Sequence, residues 1–301
     1  MRENSMMQHR QIGNTTMNIS RIAFGCMSLK SGDSGNERLL QDAIAAGINY
    51  FDTADLYENG VNEEIVGRAL KPHRSDIFIA TKVGNQMKPD GSGWNWNPSK
   101  KYILDAVEKS LTRLQTDHID LYQLHGGTID DPLDETIEAF EMLQQQGKIR
   151  FYGISSIRPN VIREWVKRSR MSSVMMQYSL LDRRPEEEAL PLLLKNNIGV
   201  LARGPMAQGL LAGKASKEYL GRSASQVNAI TAFIRDQNVS ASALAIQYVL
   251  RHPSVCAAVV GIRTALHLKD ALDAMAAPEM PESLYQQLNL LSPANFYTDH
   301  R

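Results

Sequence analysis

The sequence predicts an α/β protein, a (β/α)8 TIM barrel with an N-terminal β-hairpin closing the bottom. Three observations predict it. Short apolar runs alternate with amphipathic stretches along the chain, giving about eight strand segments with helical segments between them. The 301 residues are long for one ordinary domain but normal for one barrel, so residues 1–301 are read as a single domain. The first apolar run of that alternation leads into Gly25-Cys26-Met27-Ser28, not into the G-x-G-x-x-G turn expected of a doubly wound open sheet.

In chain order, residues 10–19 read as the hairpin, with Gly13-Asn14 at its turn. Strands are expected over 22–24, 48–51, 77–80, 119–124, 149–154, 174–177, 199–202 and 257–260. Most of their positions are apolar or β-branched, as in a parallel sheet covered on its outer face. Helices are expected over 37–46, 63–70, 100–114, 134–146, 159–169, 185–195 and 241–251, with a last one over 266–275. Ile103, Val107, Leu111 and Leu114 recur at i, i+4, i+8 and i+11, one face of a 3.6-residue helix. Two longer irregular segments follow strands, 84–98 with Trp94 and Trp96, and 204–223, rich in glycine and small residues. In a barrel, such loops carry the ligand contacts.

Apolar residues make up 43% and charged residues 22%, enough for a large core. Lys plus Arg and Asp plus Glu are 33 each, so the formal net charge is zero. That balance argues against a nucleic-acid or anionic-membrane partner. No apolar run approaches the roughly 20 residues of a bilayer span. The first ten residues are polar and lack the apolar stretch of a signal peptide. The two cysteines, Cys26 and Cys256, sit in no metal-ligand spacing. A reduced, cytoplasmic protein is expected.

Three successive strands end on polar side chains. The second ends on Asp52, with Tyr57 five residues later; the third runs into Lys82; the fourth runs into His125. In a parallel barrel these groups converge on one rim. A free phenol titrates near about 10 and needs an adjacent cation to release its proton near neutral pH. Lys82 can supply that charge, Asp52 can hold the ammonium, and His125 can orient a substrate oxygen. Each residue alone has an ordinary reading as a strand end or a loop aromatic. Two other chemistries use the same types: a metal at His125 with Asp130 or Asp131, and a Schiff base at Lys82. No second His ends a neighbouring strand, and the Schiff base leaves Tyr57 without a role.

The run Gly47-Ile48-Asn49-Tyr50-Phe51-Asp52-Thr53-Ala54-Asp55-Leu56-Tyr57, with Gly67, Thr81-Lys82 and His125 after Leu124, resembles the signature of the aldo-keto reductases. The resemblance covers nearly the whole chain. It implies an α/β barrel, NADPH rather than a metal, and reduction of an aldehyde or ketone as the small-molecule carbonyl substrate. Carried over by position, Tyr57 is the acid, Lys82 and Asp52 its partners, and His125 the substrate-orienting residue.

The same resemblance implies a cofactor site. Ser155, Ser156 and Gln177 stand where the nicotinamide carboxamide is held; relatives usually have Asn at the second of these. Arg203 replaces an aromatic that stacks on the ring, which a guanidinium plane can also do. Gly204, Pro205, Met206, Ala207, Gln208, Gly209 and Leu210 form the loop over the pyrophosphate, with Lys214 reaching it. Gly25, Cys26 and Met27, after the first strand, belong to the same set, as does Asp52. Gly261, Ile262 and Arg263 lead to the adenine end, with Arg263 for a 2′-phosphate. His267 and Asp270 depart from the usual Arg or Gln and Glu, and Ala271 from Asn, which keeps NADH open as a second donor. Trp94 and Trp96 are candidates for the substrate-pocket wall, with a loop-anchoring aromatic pair as the other reading. The alternative to an enzyme is a nucleotide-binding regulatory subunit that reads redox state with little turnover. Partner proteins are not legible.

Overall fold

The computed structural model describes residues 7–301. The chain opens with a hairpin, β1 (His9–Gln11) and β2 (Asn18–Ser20). The barrel strands follow: β3 (Ile22–Gly25), β4 (Tyr50–Asp52), β5 (Phe78–Val83), β8 (Ile119–Leu124), β9 (Ile149–Ser155), β10 (Ser173–Gln177), β11 (Gly199–Arg203) and β12 (Val255–Gly261). All pair parallel in that order, and β12 closes onto β3. A second hairpin, β6 (Asn85–Met87) and β7 (Trp94–Trp96), stands in the loop after β5.

Helices α1 (Asn36–Ala45), α2 (Val61–Leu70), α3 (Lys100–Leu114), α4 (Leu133–Gln145), α5 (Pro159–Arg168) and α6 (Ala189–Lys195) each follow a barrel strand. Two helices, α7 (Ala224–Arg235) and α8 (Ala241–Leu250), separate β11 from β12; α9 (Ala265–Ala276) and α10 (Glu282–Leu291) follow the last strand. Ile103, Val107 and Leu114 of α3 are buried, and Leu111 packs at the edge of the core. Ser99 caps that helix by accepting from the Tyr102 amide, and Gln115, left-handed at φ 53°, ends it.

The barrel has two apolar layers. The larger lies between strands and helices. The inner one gathers Ala23, Tyr50, Ala80, Leu121, Met175, Leu201 and Ala257, one side chain or more from nearly every strand. Ile12, Met17 and Ile19 of the hairpin join this inner layer with at most 1% exposure. Burying a side chain of that size contributes roughly 1.5–3 kcal/mol, so the hairpin is a true floor. At its turn, Gly13 (φ +45°) sits so close to Asn197 O that a Cβ would lie at 2.5 Å.

The expected strands are all present, and the helix boundaries shift by a residue or two. One helix is divided. Residues 185–195 split into a 3-10 turn, Arg184–Glu186, and α6, because Glu188 leaves helical geometry at φ −140°. Helices α7 and α10 and the β6–β7 hairpin had not been expected. The start of α7 was nevertheless written in the chain: Ser223 and Gln226 form a capping box just before Val227. Among the described residues, no helix is long and apolar enough to cross a membrane.

Candidate active site

Strand alternation builds the site. On β8, Leu121 points inward, so Gln123 and His125 follow it on the same face; on β5, Ala80 is followed by Lys82. Lys82 is therefore carried to the inner rim, where its side chain is 1% exposed. Its ammonium has three protons and three acceptors: Asp52 Oδ2 at 2.6 Å, Thr53 O at 2.7 Å and Tyr57 Oη at 3.3 Å. The ammonium also lies 5.0 Å from the centroid of the Tyr57 ring. Gln123 Nε2 donates to the other Asp52 oxygen at 3.3 Å, so the carboxylate is held from both ends.

Burial alone would lower the Lys82 ammonium, but Asp52 and Tyr57 outweigh it and the net displacement is upward. Burial pushes the Asp52 carboxyl up against the opposing pull of Lys82 and Gln123. His125 meets Tyr57 edge to face at 6.0 Å between centroids. Burial first, then the charges of Lys82 and Arg203, push its imidazole down to about 3, so it is neutral at physiological pH. Its Nδ1 is buried without a partner.

Tyr57 begins a strained turn. Glu58 (φ 48°), Asn59 (φ 57°) and Gly60 (φ 91°) are all left-handed before α2 starts. The turn is tied down around it. Glu58 accepts from the Ser31 amide, and Asn62 bridges Thr53 Oγ1 to the Cys26 and Leu29 carbonyls. Glu63, fully buried, accepts from Thr81 Oγ1 at 2.5 Å and from Arg113 Nε at 2.7 Å. Sequence reasoning missed Gln123, Asn62 and Glu63. Gln123 could have been found from the period-two spacing that ends in His125; the other two lie in a first helical turn, where no pattern separates them from solvent-facing residues.

The other expected residues stand on neighbouring strand ends. Ser155 closes β9 with Ser156 next to it, Gln177 closes β10, and Arg203 closes β11 as the register partner of Gln177. Gln177 donates to Asp182 Oδ2 and Tyr219 Oη, and Arg203 Nη1 lies 3.4 Å from Gln177 Oε1. Gly204, Ala207, Gln208 and Gly209 are left-handed, and the Lys214 stem crosses Gly209 where a Cβ would sit 2.8 Å away. Pro205 and Leu210 are buried and Met206 is half-buried in the same loop. The Cys26 side chain is buried in the core, whereas Met27 is 62% exposed. Ser28 Oγ donates to Ile262 O, joining the exits of β3 and β12 beside Gly261 and Gly25. Arg263 is exposed one residue before Thr264, which caps α9 by accepting from the His267 amide; Asp270 lies one turn on, half-buried.

Trp96 does not stand free. Its Nε1 donates to Asp131 Oδ1 at 2.8 Å, and its ring rests on Gly84 and Gly126, where added Cβ atoms would lie 2.7 and 3.3 Å from it. It thereby fastens the loop after Lys82 to the loop after His125. Trp94 is 50% exposed. Asp131 is engaged by Trp96 and Thr128 rather than by His125. Among the described residues, no group of three His, Cys, Asp or Glu is arranged to hold a metal.

The profile of the Aldo/keto reductase family matches residues 21–292. The chain belongs to this family. This aldo/keto reductase is 47% identical over 306 residues to the oxidoreductase YqkF of Bacillus subtilis, covering 98% of this chain and 100% of that one. It is 33% identical over 229 residues to the NADH-specific methylglyoxal reductase of Escherichia coli, covering 69% of this chain and 70% of that one. Its fold is similar to the holo form of aldo-keto reductase AKR11C1 from Bacillus halodurans, with a TM-score of 0.94, 47% identity, and coverage of 98% and 99% of the two chains. Family membership makes it an oxidoreductase that works with a nicotinamide cofactor.

Proposed function

We propose that this aldo/keto reductase reduces a small aldehyde or ketone to an alcohol, with NADPH as hydride donor and Tyr57 as general acid. One observation carries the reading. The Lys82 ammonium donates to the Tyr57 oxygen, so the phenol's own proton is free for another acceptor. The same ammonium meets the negative charge left on the phenol oxygen as that proton departs. His125, neutral, can donate to a carbonyl oxygen without adding charge to the site. When bound, the reduced nicotinamide supplies the hydride that reaches the carbonyl carbon.

The donor set suits a dinucleotide. Two serine hydroxyls and an amide stand on adjacent strand ends, and Arg203, Lys214 and Arg263 are exposed cations along the mouth. Arg263, ahead of the α9 N-terminus, supports a preference for a 2′-phosphate. Two buried, unpaired cysteines suit a reducing cytoplasm.

Tyr57→Phe is expected to lower aldehyde reduction by roughly 10²–10⁴-fold while NADPH affinity is kept, as followed by loss of nicotinamide absorbance. Unchanged turnover would reject the assignment. Tight NADPH binding by the unaltered protein, without turnover on a broad carbonyl panel, would favour a nucleotide-sensing subunit instead. Titration with NADPH and NADH side by side is expected to favour NADPH, and Arg263→Ala to narrow the difference by about tenfold or more. Equal affinities in the unaltered protein would refute the NADPH preference.

A further inference from the structure

Gln177 ends β10 at the rim, half-buried, and its amide is held from both sides. Nε2 donates to Asp182 Oδ2 at 2.7 Å and to Tyr219 Oη at 3.1 Å. Oε1 faces Arg203 Nη1 at 3.4 Å. The two ends of an amide are alike in shape and opposite in hydrogen bonding, so the neighbours decide which end meets a ligand. Asp182 decides it in this case. Its carboxylate accepts and does not donate, so an amide turned round would set oxygen against oxygen.

Asp182 has no freedom to turn away. It is 0% exposed. Arg184 grips both of its oxygens, Nε to Oδ1 at 2.7 Å and Nη2 to Oδ2 at 2.8 Å. The Arg184 guanidinium is covered in turn by the Tyr297 ring of the C-terminal tail, 4.7 Å from its centroid. Tyr297 itself is 8% exposed. A residue that merely finished a strand would need no such clamp. Next along the rim stand the hydroxyls of Ser155, the register partner of Met175 on β10, and of Ser156, whose amide donates to Met175 O. A ligand group spanning this stretch meets hydroxyls on one side and an amide oxygen on the other. A primary carboxamide fits: its oxygen accepts from a serine and its nitrogen donates to Oε1.

We propose that Asp182 is a positioning residue which, clamped by Arg184 and Tyr297, fixes Gln177 with its oxygen toward the carboxamide nitrogen of the cofactor. The assignment rests on the nicotinamide reading above and extends it to residues outside the rim.

The test is fluorescence titration with three ligands: NADPH, its 3-acetylpyridine analogue, in which a methyl replaces the carboxamide nitrogen, and 2′-phosphoadenosine diphosphoribose, which lacks the pyridine ring. The unaltered protein is expected to bind NADPH about tenfold more tightly than the analogue, the worth of one hydrogen bond. Asp182→Asn is expected to bring the two affinities together and leave the ringless fragment unchanged. Arg184→Gln, which keeps the carboxylate but loosens it, is expected to give an intermediate ratio and serves if Asp182→Asn does not fold. A ratio near one in the unaltered protein, or a full tenfold preference surviving in the variants, would overturn the inference while leaving the cofactor reading intact. Loss of fragment binding in the variants would also overturn it, because Asp182 would then support the whole mouth. Failure of the unaltered protein to bind NADPH and fragment alike would sink the cofactor reading itself, and this inference with it.

Discussion

Two titrating side chains beside the rim pull stability in opposite directions. Burial, with Lys82 and Arg203, holds His125 down to about 3, against an ordinary value of 6.5. The unfolded chain therefore takes up this proton first, and the folded state loses stability as pH falls from 6.5 toward 3. Asp55 does the reverse. Burial and the nearby Glu63 push its carboxyl up to about 7 from 3.8, so its contribution is full below 3.8 and fades as pH rises through 7. Denaturant unfolding at a series of pH values should separate them. Relative to His125→Asn, the unaltered protein should lose up to about 1.4 kcal/mol per pH unit on acidification below 6.5. Relative to Asp55→Asn, it should gain on acidification from 7 to 4. Parallel curves for all three proteins would contradict both displacements. In the sequence Asp55 is one member of the Gly47–Tyr57 run; its titration depends on burial and on Glu63, and neither is visible in a run of residues.

At the scale of the element, α2 and α3 meet with almost no space between them. A Cβ on Gly67 would lie 2.5 Å from the Leu114 backbone, which cannot move without unwinding the end of α3. Gly67→Ala should therefore cost about 1–3 kcal/mol in denaturant unfolding, although alanine is the better helix former. A neutral or stabilising outcome would mean that the two helices part easily. The boundaries of α3 and β8 were readable to the residue, because one carries a full apolar face between a serine cap and a left-handed stop and the other is buried throughout. The meeting of Asp52, Tyr57, Lys82 and His125 was readable because each stands at or soon after the end of an apolar run. Residues 185–195 were not, since Pro185 can begin either a 3-10 turn or an α-helix, and Glu188, where the helix breaks, pairs with Arg163 of α5, which lies far away in the chain. Loop anchoring was one of two readings of Trp96, but its partners were hidden, because Gly84, Gly126 and Asp131 come from two different loops.

Across the whole molecule, the two ends of the barrel do different work. Chemistry-bearing side chains collect where the strands finish, whereas a second buried charge sits where they start. Asp120, 0% exposed at the head of β8, accepts from Arg74 Nη2 at 2.7 Å and from the Ile79 amide at 2.9 Å. It ties β5 to β8 from below, far along the strands from Lys82 and His125. Asp120→Asn should lower stability by about 3 kcal/mol, since Arg74 loses its buried partner. Turnover per folded molecule should stay unchanged, because residues at the strand starts serve stability and not reaction. A specific fall in kcat at full folding would show that the two ends are coupled.

The floor made by Ile12, Met17 and Ile19, with the filled interior above it, has one more consequence. Among the described residues the axis is closed from below, which leaves the rim where Lys82 and His125 stand as the open face. A molecule that reacts at Tyr57 under the proposed function has to come and go over that rim.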